Sequence, residues 1–591
     1  MLRDPFSLLL YRLCLLGCLL GLAATFYLVS GWAGYVGSLV PNVALAGVLV
    51  FAAAYFLYIF FVLLLDKSWL GFLLWFLILL VLAMEIVLGL VPPTARDELT
   101  HHLAVPKLYA SAGKIYEIPF DSPSYYPMLL DMLFTPWVKW RWDFIPKLIH
   151  GLFGFLTGLL LYAYLAYRLS PIYGLMGFLL FVSTPAIARL SNWAYVDLGL
   201  VFYSTASLLC LWRWTEDKNL QGWLLLAGLS AGFAAATKPN GLLALLLLFF
   251  VLAWNLGRES KNAIRVRVYH LTLFLLLAFI PLSPWLLRNF VWTGNPLFPF
   301  FPSFFGSGSG GDGGGTALGI LARRHLLYGE SGWEIAALPL RIFFSGQDDS
   351  PEYFDGVLNP ILILFLPWAF RGKWVKEKNI FFAFALLYFL FAFFLADLRI
   401  RYILPIVPPL VILLVYGIHN VYLRIVRPSL LFAALILLAT LNVVYLWNHF
   451  HKVAPLGYLS GEESRDAYLA RMLPEYPALR FVNHELPADA RIYFIFMGRR
   501  VYYCERAYFY DGSENPWVLL RMIQNAQSGD HIKARFVERG LTHLLVREEL
   551  LSRFFGDNLT PLQRRVWDFF ATQHLRVLYR DRGYSLYQIY G

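Results

Sequence analysis

Apolar runs of about twenty residues recur along this 591-residue chain, and each is long enough for a helix to cross a hydrocarbon layer ~30 Å thick. The runs are continuous and do not alternate with polar residues, which argues against a membrane β-barrel. With 59% hydrophobic, 18% aromatic and only 15% charged residues, the composition lies outside the soluble range. The fold class is therefore an α-helical polytopic membrane protein.

Apolar length and the placement of Lys and Arg predict about thirteen spans, near 8–29, 42–65, 69–91, 146–168, 172–189, 198–214, 222–236, 241–256, 268–291, 357–370, 379–396, 402–423 and 429–448. They form a membrane domain over 1–448, interrupted by a loop at 92–145 and a second long loop at 292–356. Residues 449–591 are polar. Strand-like runs at 491–497, 500–504, 542–548 and 584–590 alternate there with helical stretches near 516–527 and 561–573, as expected of a small α/β domain. The first apolar run follows Arg3 and Arg12 and is expected to stay in place as an uncleaved helix.

The net charge of +11 does not imply a nucleic-acid partner, because the cations sit in short loops between spans. A cytoplasmic N-terminus puts the basic connections at 257–267, 371–378 and 423–428 inside, as the positive-inside rule requires. It also puts the two long loops and the C-terminal α/β domain outside, which makes the chain a multi-pass protein of the inner (cytoplasmic) membrane with an extracytoplasmic C-terminal domain. Cys14, Cys18, Cys210 and Cys504 have neither a disulfide framework nor zinc spacing. The run "GSGSGGDGGG" at 306–315 lacks the Gly-Lys-Ser/Thr ending of a phosphate loop.

On this topology Lys238, Arg399 and Arg401 break the charge bias, since cations are scarce in short outer loops. Retained outer cations suggest an anionic ligand. Lys238 lies in the tight turn "TKPNG" and suits a phosphate as a compact charge. In "DLRIRY" the alternate spacing of Arg399 and Arg401 turns one of them inward, and Arg401, beside Tyr402, is the expected one. Asp97 and Glu98 open the first long loop where "VPP" ends the third span, and a carboxylate held at headgroup depth can act as a general base. The following "LTHHLAVPKLY" reads as an amphipathic helix lying in the interface.

His101 and His102 point about 100° apart on a helix, which fits hydrogen bonding or acceptor contact better than joint ligation of one metal. Lys107, Tyr109, Tyr125, Tyr126 and Asp197 complete the set of substrate-contact candidates, each with an ordinary role at a membrane interface as its alternative. Arg288 and Asn289, closing the ninth span, read as structural.

The motifs "RDELTHHLAVPKLY" at 96–109, "WAYVD" at 193–197, "TKPNG" at 237–241, "PWLLRNFVWTGNPLFP" at 284–299 and "RYILPIVPP" at 401–409 together resemble the GT-C superfamily of membrane glycosyltransferases. The similarity is to its bacterial branch of RgtA/B/C/D-like proteins, related to aminoarabinose transferases and protein mannosyltransferases. The resemblance implies inverting transfer of a hexosyl or pentosyl group from a polyprenyl-phosphate carrier at the outer membrane face. Asp97 would match the catalytic acid, with Glu98 as its neighbour, and Lys238 and Arg401 the groups near the lipid phosphate. It implies a polyprenyl-phosphate-sugar donor and membrane lipid as partners, leaves the acceptor (lipid, glycan or protein) open, and requires no cofactor, although some members use a divalent metal. Competing readings are a transporter or flippase of lipid-linked glycans, against which the absence of an internal repeat counts, and a glycan polymerase or ligase.

Overall fold

The computed structural model describes every residue except 1–3, 64–67, 258–263, 307–319, 372–374, 396–397, 425–427, 512–514 and 591. All but Gly306 of the low-complexity run lies outside the described residues. Among the described residues, twelve α-helices make up the first half: α1 (Pro5–Trp32), α2 (Leu39–Leu63), α3 (Trp69–Gly89), α4 (Ala104–Ala112), α5 (Leu129–Val138), α6 (Phe144–Arg168), α7 (Pro171–Val182), α8 (Pro185–Ser191), α9 (Asp197–Glu216), α10 (Gln221–Thr237), α11 (Gly241–Gly257) and α12 (Ile264–Thr293). The helices Lys376–Leu395, Val407–Tyr422 and Pro428–Val453 follow.

Among the described residues, six helices are long and apolar enough to cross a membrane, and a seventh crossing is made if the bent pair α7 and α8, turned by 70° at Ser183 and Thr184, is taken as one. This is fewer than the thirteen expected. The stretch 357–370 is not a continuous span but two four-residue helices, Ile361–Leu364 and Leu366–Ala369. Both α10 and α11 have 17 residues, about 25 Å at 1.5 Å per residue, which is short for a full crossing. Burial favours α10 as a helix all the same, since it packs on α9 and α12 and buries most of its side chains, whereas α11 buries one face, from Gly241 to Leu256. Close approach there depends on small residues. A Cβ at Gly232 of α10 would lie 2.2 Å from the Ala278 carbonyl oxygen of α12.

The C-terminal region folds as a five-stranded mixed sheet of order β2-β1-β3-β5-β4, built from β1 (Arg491–Ile495), β2 (Ala507–Phe509), β3 (His543–Arg547), β4 (Leu575–Asp581) and β5 (Tyr584–Ile589). β1 is parallel to β2 and β3, while β5 is antiparallel to β3 and β4. The helices Trp517–Gln524, Gly529–Glu538 and Pro561–His574 pack on it around Phe536 and Phe570. Two expectations change. The run 500–504 is not a strand, because the Val501 and Tyr502 N–H groups both donate to the Leu99 carbonyl, at 3.0 and 3.1 Å, and its aromatic residues face the first long loop. β2 and β4 were not anticipated, β2 because it is only three residues long and β4 because its side chains are largely exposed and carry no clear alternation.

Candidate active site

Four charged side chains meet at one end of the bundle, each delivered by a different break in the helices. Asp97 follows the "VPPTAR" turn after α3, Asp197 opens α9, Lys238 closes α10, and Arg401 lies in the short helix Ile400–Ile403. The Lys238 turn is geometrically demanding. Lys238 is extended (φ −160°, ψ 150°), the Gly241 N–H returns to its carbonyl at 2.8 Å, and a Cβ at Gly241 would stand 1.9 Å from the Ala234 carbonyl oxygen. Only glycine fits there.

The four charges form two ion pairs. Arg401 donates to the Asp97 carboxylate, and Lys238 Nζ donates to Asp197 Oδ1 at 2.6 Å. Tyr402 lies beneath both cations, with Lys238 and Arg401 each 5.0 Å from its ring centroid. Tyr195 receives the Asp97 N–H on its hydroxyl at 3.1 Å and faces Arg401 with its ring. The two acids differ in access, because the Asp97 side chain is 18% exposed and that of Asp197 1%. Burial by itself would raise the Asp97 pKa, but the Arg401 guanidinium outweighs it and holds the carboxyl well below the ordinary range. Asp97 is an accessible, fully ionised carboxylate with a cation in contact, whereas Asp197 is sealed.

Glu98, expected beside Asp97 as a second acid, has a different surrounding. It is fully buried and accepts the N–H groups of Thr94 (3.0 Å), Ala95 (2.8 Å) and Ala194 (2.6 Å). These bonds clip the turn carrying Asp97 to the segment carrying Tyr195, so Glu98 positions the site without reaching it. Glu98→Gln is expected to lower stability by about 1.5–3 kcal/mol, because an amide cannot accept all three bonds. Thermal unfolding checks this: unchanged stability would show that the three bonds do not hold the turn and would overturn the positioning role.

The segment Glu98–His102 is a π-turn, and α4 behind it is buried through Val105, Pro106, Tyr109 and Ala110. The expected helix in the membrane interface is thus a packed element. His101 and His102 lie ring to ring at 4.1 Å. Burial lowers them to about 3 and about 4, so both are neutral near pH 7. His102 Nδ1 contacts Asp131 Oδ1 at 2.8 Å and His101 Nδ1 contacts Thr100 Oγ1 at 2.8 Å. Among the described residues, no group of three His, Cys, Asp or Glu side chains is arranged to hold a metal ion, and Asp97, Glu98, Asp197 and the histidines do not converge as such a set.

Other candidates lie elsewhere. Lys107 is committed to the C-terminal region, donating to the carbonyls of Tyr502 (2.7 Å) and Cys504 (2.9 Å) and to Glu505 (3.2 Å). Tyr109 is buried edge-on to Tyr116. Arg399 points to Asp355 of the second long loop at 3.5 Å, so of the two arginines Arg401 is the one in the cluster. Tyr126 stacks on Phe300, 5.9 Å between centroids, and its carbonyl accepts from Arg288 at 3.2 Å. Arg288, between Trp285 and Trp292, and Asn289, which donates to the Tyr125 and Phe298 carbonyls, tie α12 to the two long loops. Sequence reasoning missed Tyr195, although it lies inside the "WAYVD" run.

Residues 143–293 match the family described as dolichyl-phosphate-mannose-protein mannosyltransferase. No curated protein matches the chain. Among solved structures, ArnT from Cupriavidus metallidurans bound to undecaprenyl phosphate is similar over 88% of this chain and 98% of its own, at 14% identity and a TM-score of 0.52. Its apo state gives the same identity and TM-score over 87% and 97%. The oligosaccharyltransferase AglB from Archaeoglobus fulgidus, in complex with an inhibitory peptide and a dolichol-phosphate, has 11% identity over 88% of this chain and 74% of its own, with a TM-score of 0.44. The chain has the fold of the GT-C superfamily of membrane glycosyltransferases, and within that fold residues 143–293 are similar to the dolichyl-phosphate-mannose-protein mannosyltransferases.

Proposed function

We propose that the protein is an inverting glycosyltransferase that moves a sugar from a polyprenyl-phosphate carrier to an acceptor at the outer face of the cytoplasmic membrane. The observation that carries this reading is the pair of crossed contacts, Asp97 with Arg401 and Asp197 with Lys238, over one tyrosine ring. Two cations held at one bundle end by two carboxylates make a site that exchanges anions. The phosphate of an arriving carrier competes with Asp97 for Arg401, and the carboxylate it releases is free to take a proton. The ArnT structure with undecaprenyl phosphate, which shares the fold, is in keeping with a lipid phosphate as that anion.

In the reaction the acceptor oxygen or nitrogen attacks the anomeric carbon from the face opposite the phosphate. Its proton passes to the Asp97 carboxylate as the sugar–phosphate bond breaks. The carrier leaves as a phosphate monoester with one more negative charge than the diester it came from, and Lys238 and Arg401 stabilise that growing charge. Asp197 anchors Lys238, and Tyr402 supports both cations.

Purified protein in proteoliposomes, given an undecaprenyl-phosphate-linked labelled sugar and a crude envelope glycan fraction, should transfer the label and release undecaprenyl phosphate. Movement of intact donor between leaflets without cleavage of the sugar–phosphate bond would replace this reading with a flippase.

A further inference from the structure

A concave site lies between the C-terminal sheet and the first long loop. It has a volume of about 400 Å³ and is lined by five arginines, Arg96, Arg499, Arg500, Arg547 and Arg582, against two acids, Glu475 and Asp511. Both acids have other tasks: Glu475 pairs with Arg500 at 3.1 Å, and the Asp511 carboxylate accepts the Tyr493 hydroxyl and the Val518 N–H. Among the described lining residues the arginines outnumber the acids by three.

Its place in the fold is where α/β sheets take ligands, at the carboxyl ends of two adjacent parallel strands, β1 and β3. The β1 end turns sharply, with Phe496 (φ 56°), Gly498 (φ 63°) and Arg499 (φ 58°) all left-handed. Two non-glycine residues in that region mark a backbone held in an unfavourable conformation by its surroundings. The turn rests on the loop that carries Asp97, since Val501 and Tyr502 bond to Leu99. On the other side the pocket reaches Arg96, the neighbour of Asp97.

We infer that this pocket binds the acceptor, and that the acceptor is a glycan carrying an anionic group, a phosphoryl or a carboxylate, on or next to the sugar that is extended. The inference rests on the glycosyltransferase reading and adds the acceptor's chemistry to it. Arginine forks suit both oxyanions through paired N–H donors, and the half-buried Phe496 supplies an apolar face on which a sugar ring lies. A small concave site fits a compact headgroup better than an extended peptide, which would add to a free sheet edge.

The test uses the full-length protein in detergent and three probes, glucose 6-phosphate, glucuronate and glucose, with undecaprenyl phosphate titrated separately. The two anionic sugars should bind and glucose should not, and high salt should weaken their binding. Arg499→Gln/Arg547→Gln should weaken it about tenfold or more while undecaprenyl phosphate binding is unchanged. The single variant Arg582→Gln, at an exposed position, should weaken it less and guards against a misfolded double variant. Equal binding of glucose, unaltered binding by the variants, or displacement of the probes by phosphatidylglycerol would overturn the inference. Loss of undecaprenyl phosphate binding to the unmodified protein, with the anionic sugars still bound, would instead overturn the glycosyltransferase reading and leave an anion pocket in place.

Discussion

Asp97→Asn should abolish transfer, by about a thousandfold, while undecaprenyl phosphate binds roughly five- to tenfold more tightly, a gain of about 1–1.4 kcal/mol. The two effects move in opposite directions because Asp97 has two roles. It is the proposed base, and it is also the anion with which the carrier competes for Arg401. An amide removes the proton acceptor and the competitor together. The variant should be less stable without ligand, because Arg401, 14% exposed, loses its carboxylate, and added undecaprenyl phosphate should raise its melting temperature more than that of the unmodified protein. Weaker lipid-phosphate binding in this variant would show that Asp97 does not compete with the ligand. The pH dependence has a definite sign. The Asp97 carboxyl is depressed in the folded state, so its pairing contributes stability above the ordinary carboxylate pKa near 4, and that contribution is lost as pH falls toward the folded value.

The second large effect belongs to the sealed pair. Lys238→Met leaves Asp197, 1% exposed, without the cation that contacts it, and a buried charge stripped of its partner costs about 3–5 kcal/mol. Replacing both residues, Lys238→Met with Asp197→Asn, removes the orphaned charge and should recover most of that stability. It should not recover lipid-phosphate binding or transfer, since the cation is still missing. Melting temperatures and undecaprenyl phosphate titrations on the two variants separate these outcomes. A double variant that bound the carrier at the unmodified affinity would remove Lys238 from the phosphate site.

The site was partly legible because of where its charges stand along the chain. Lys238 and Arg401 were visible as cations on the wrong side of a topology set by other residues, and Asp97 as an acid at the end of a span. The same reasoning placed Glu98 beside Asp97 in function, because adjacent carboxylates look alike in one dimension. Their long-range partners separate them: the Ala194 N–H, 96 residues away in sequence, reaches Glu98, and Arg401, 304 residues away, reaches Asp97. Lys107 shows the same effect. Its partners lie nearly 400 residues downstream, so its amphipathic setting read as a membrane interface when it is an interface between two parts of the chain. The run 500–504 had the composition of a strand, but its tyrosines pack on the first long loop, Tyr502 bonding Asp143 and Tyr503 the Pro93 carbonyl.

Hydrophobic length and charge bias, both local in sequence, were enough to determine the membrane class, the helical fold and four of the residues at one bundle end, because each follows from the cost of placing polar groups in lipid, while strand-like runs indicated a small C-terminal α/β domain but neither β2 nor β4. Which carboxylate is open, which cation each acid meets, and that the C-terminal turn at 496–502 rests on the loop carrying Asp97 were decided by tertiary structure alone. These are contacts between segments separated by tens to hundreds of residues, and their energies come from burial and pairing that no local pattern encodes.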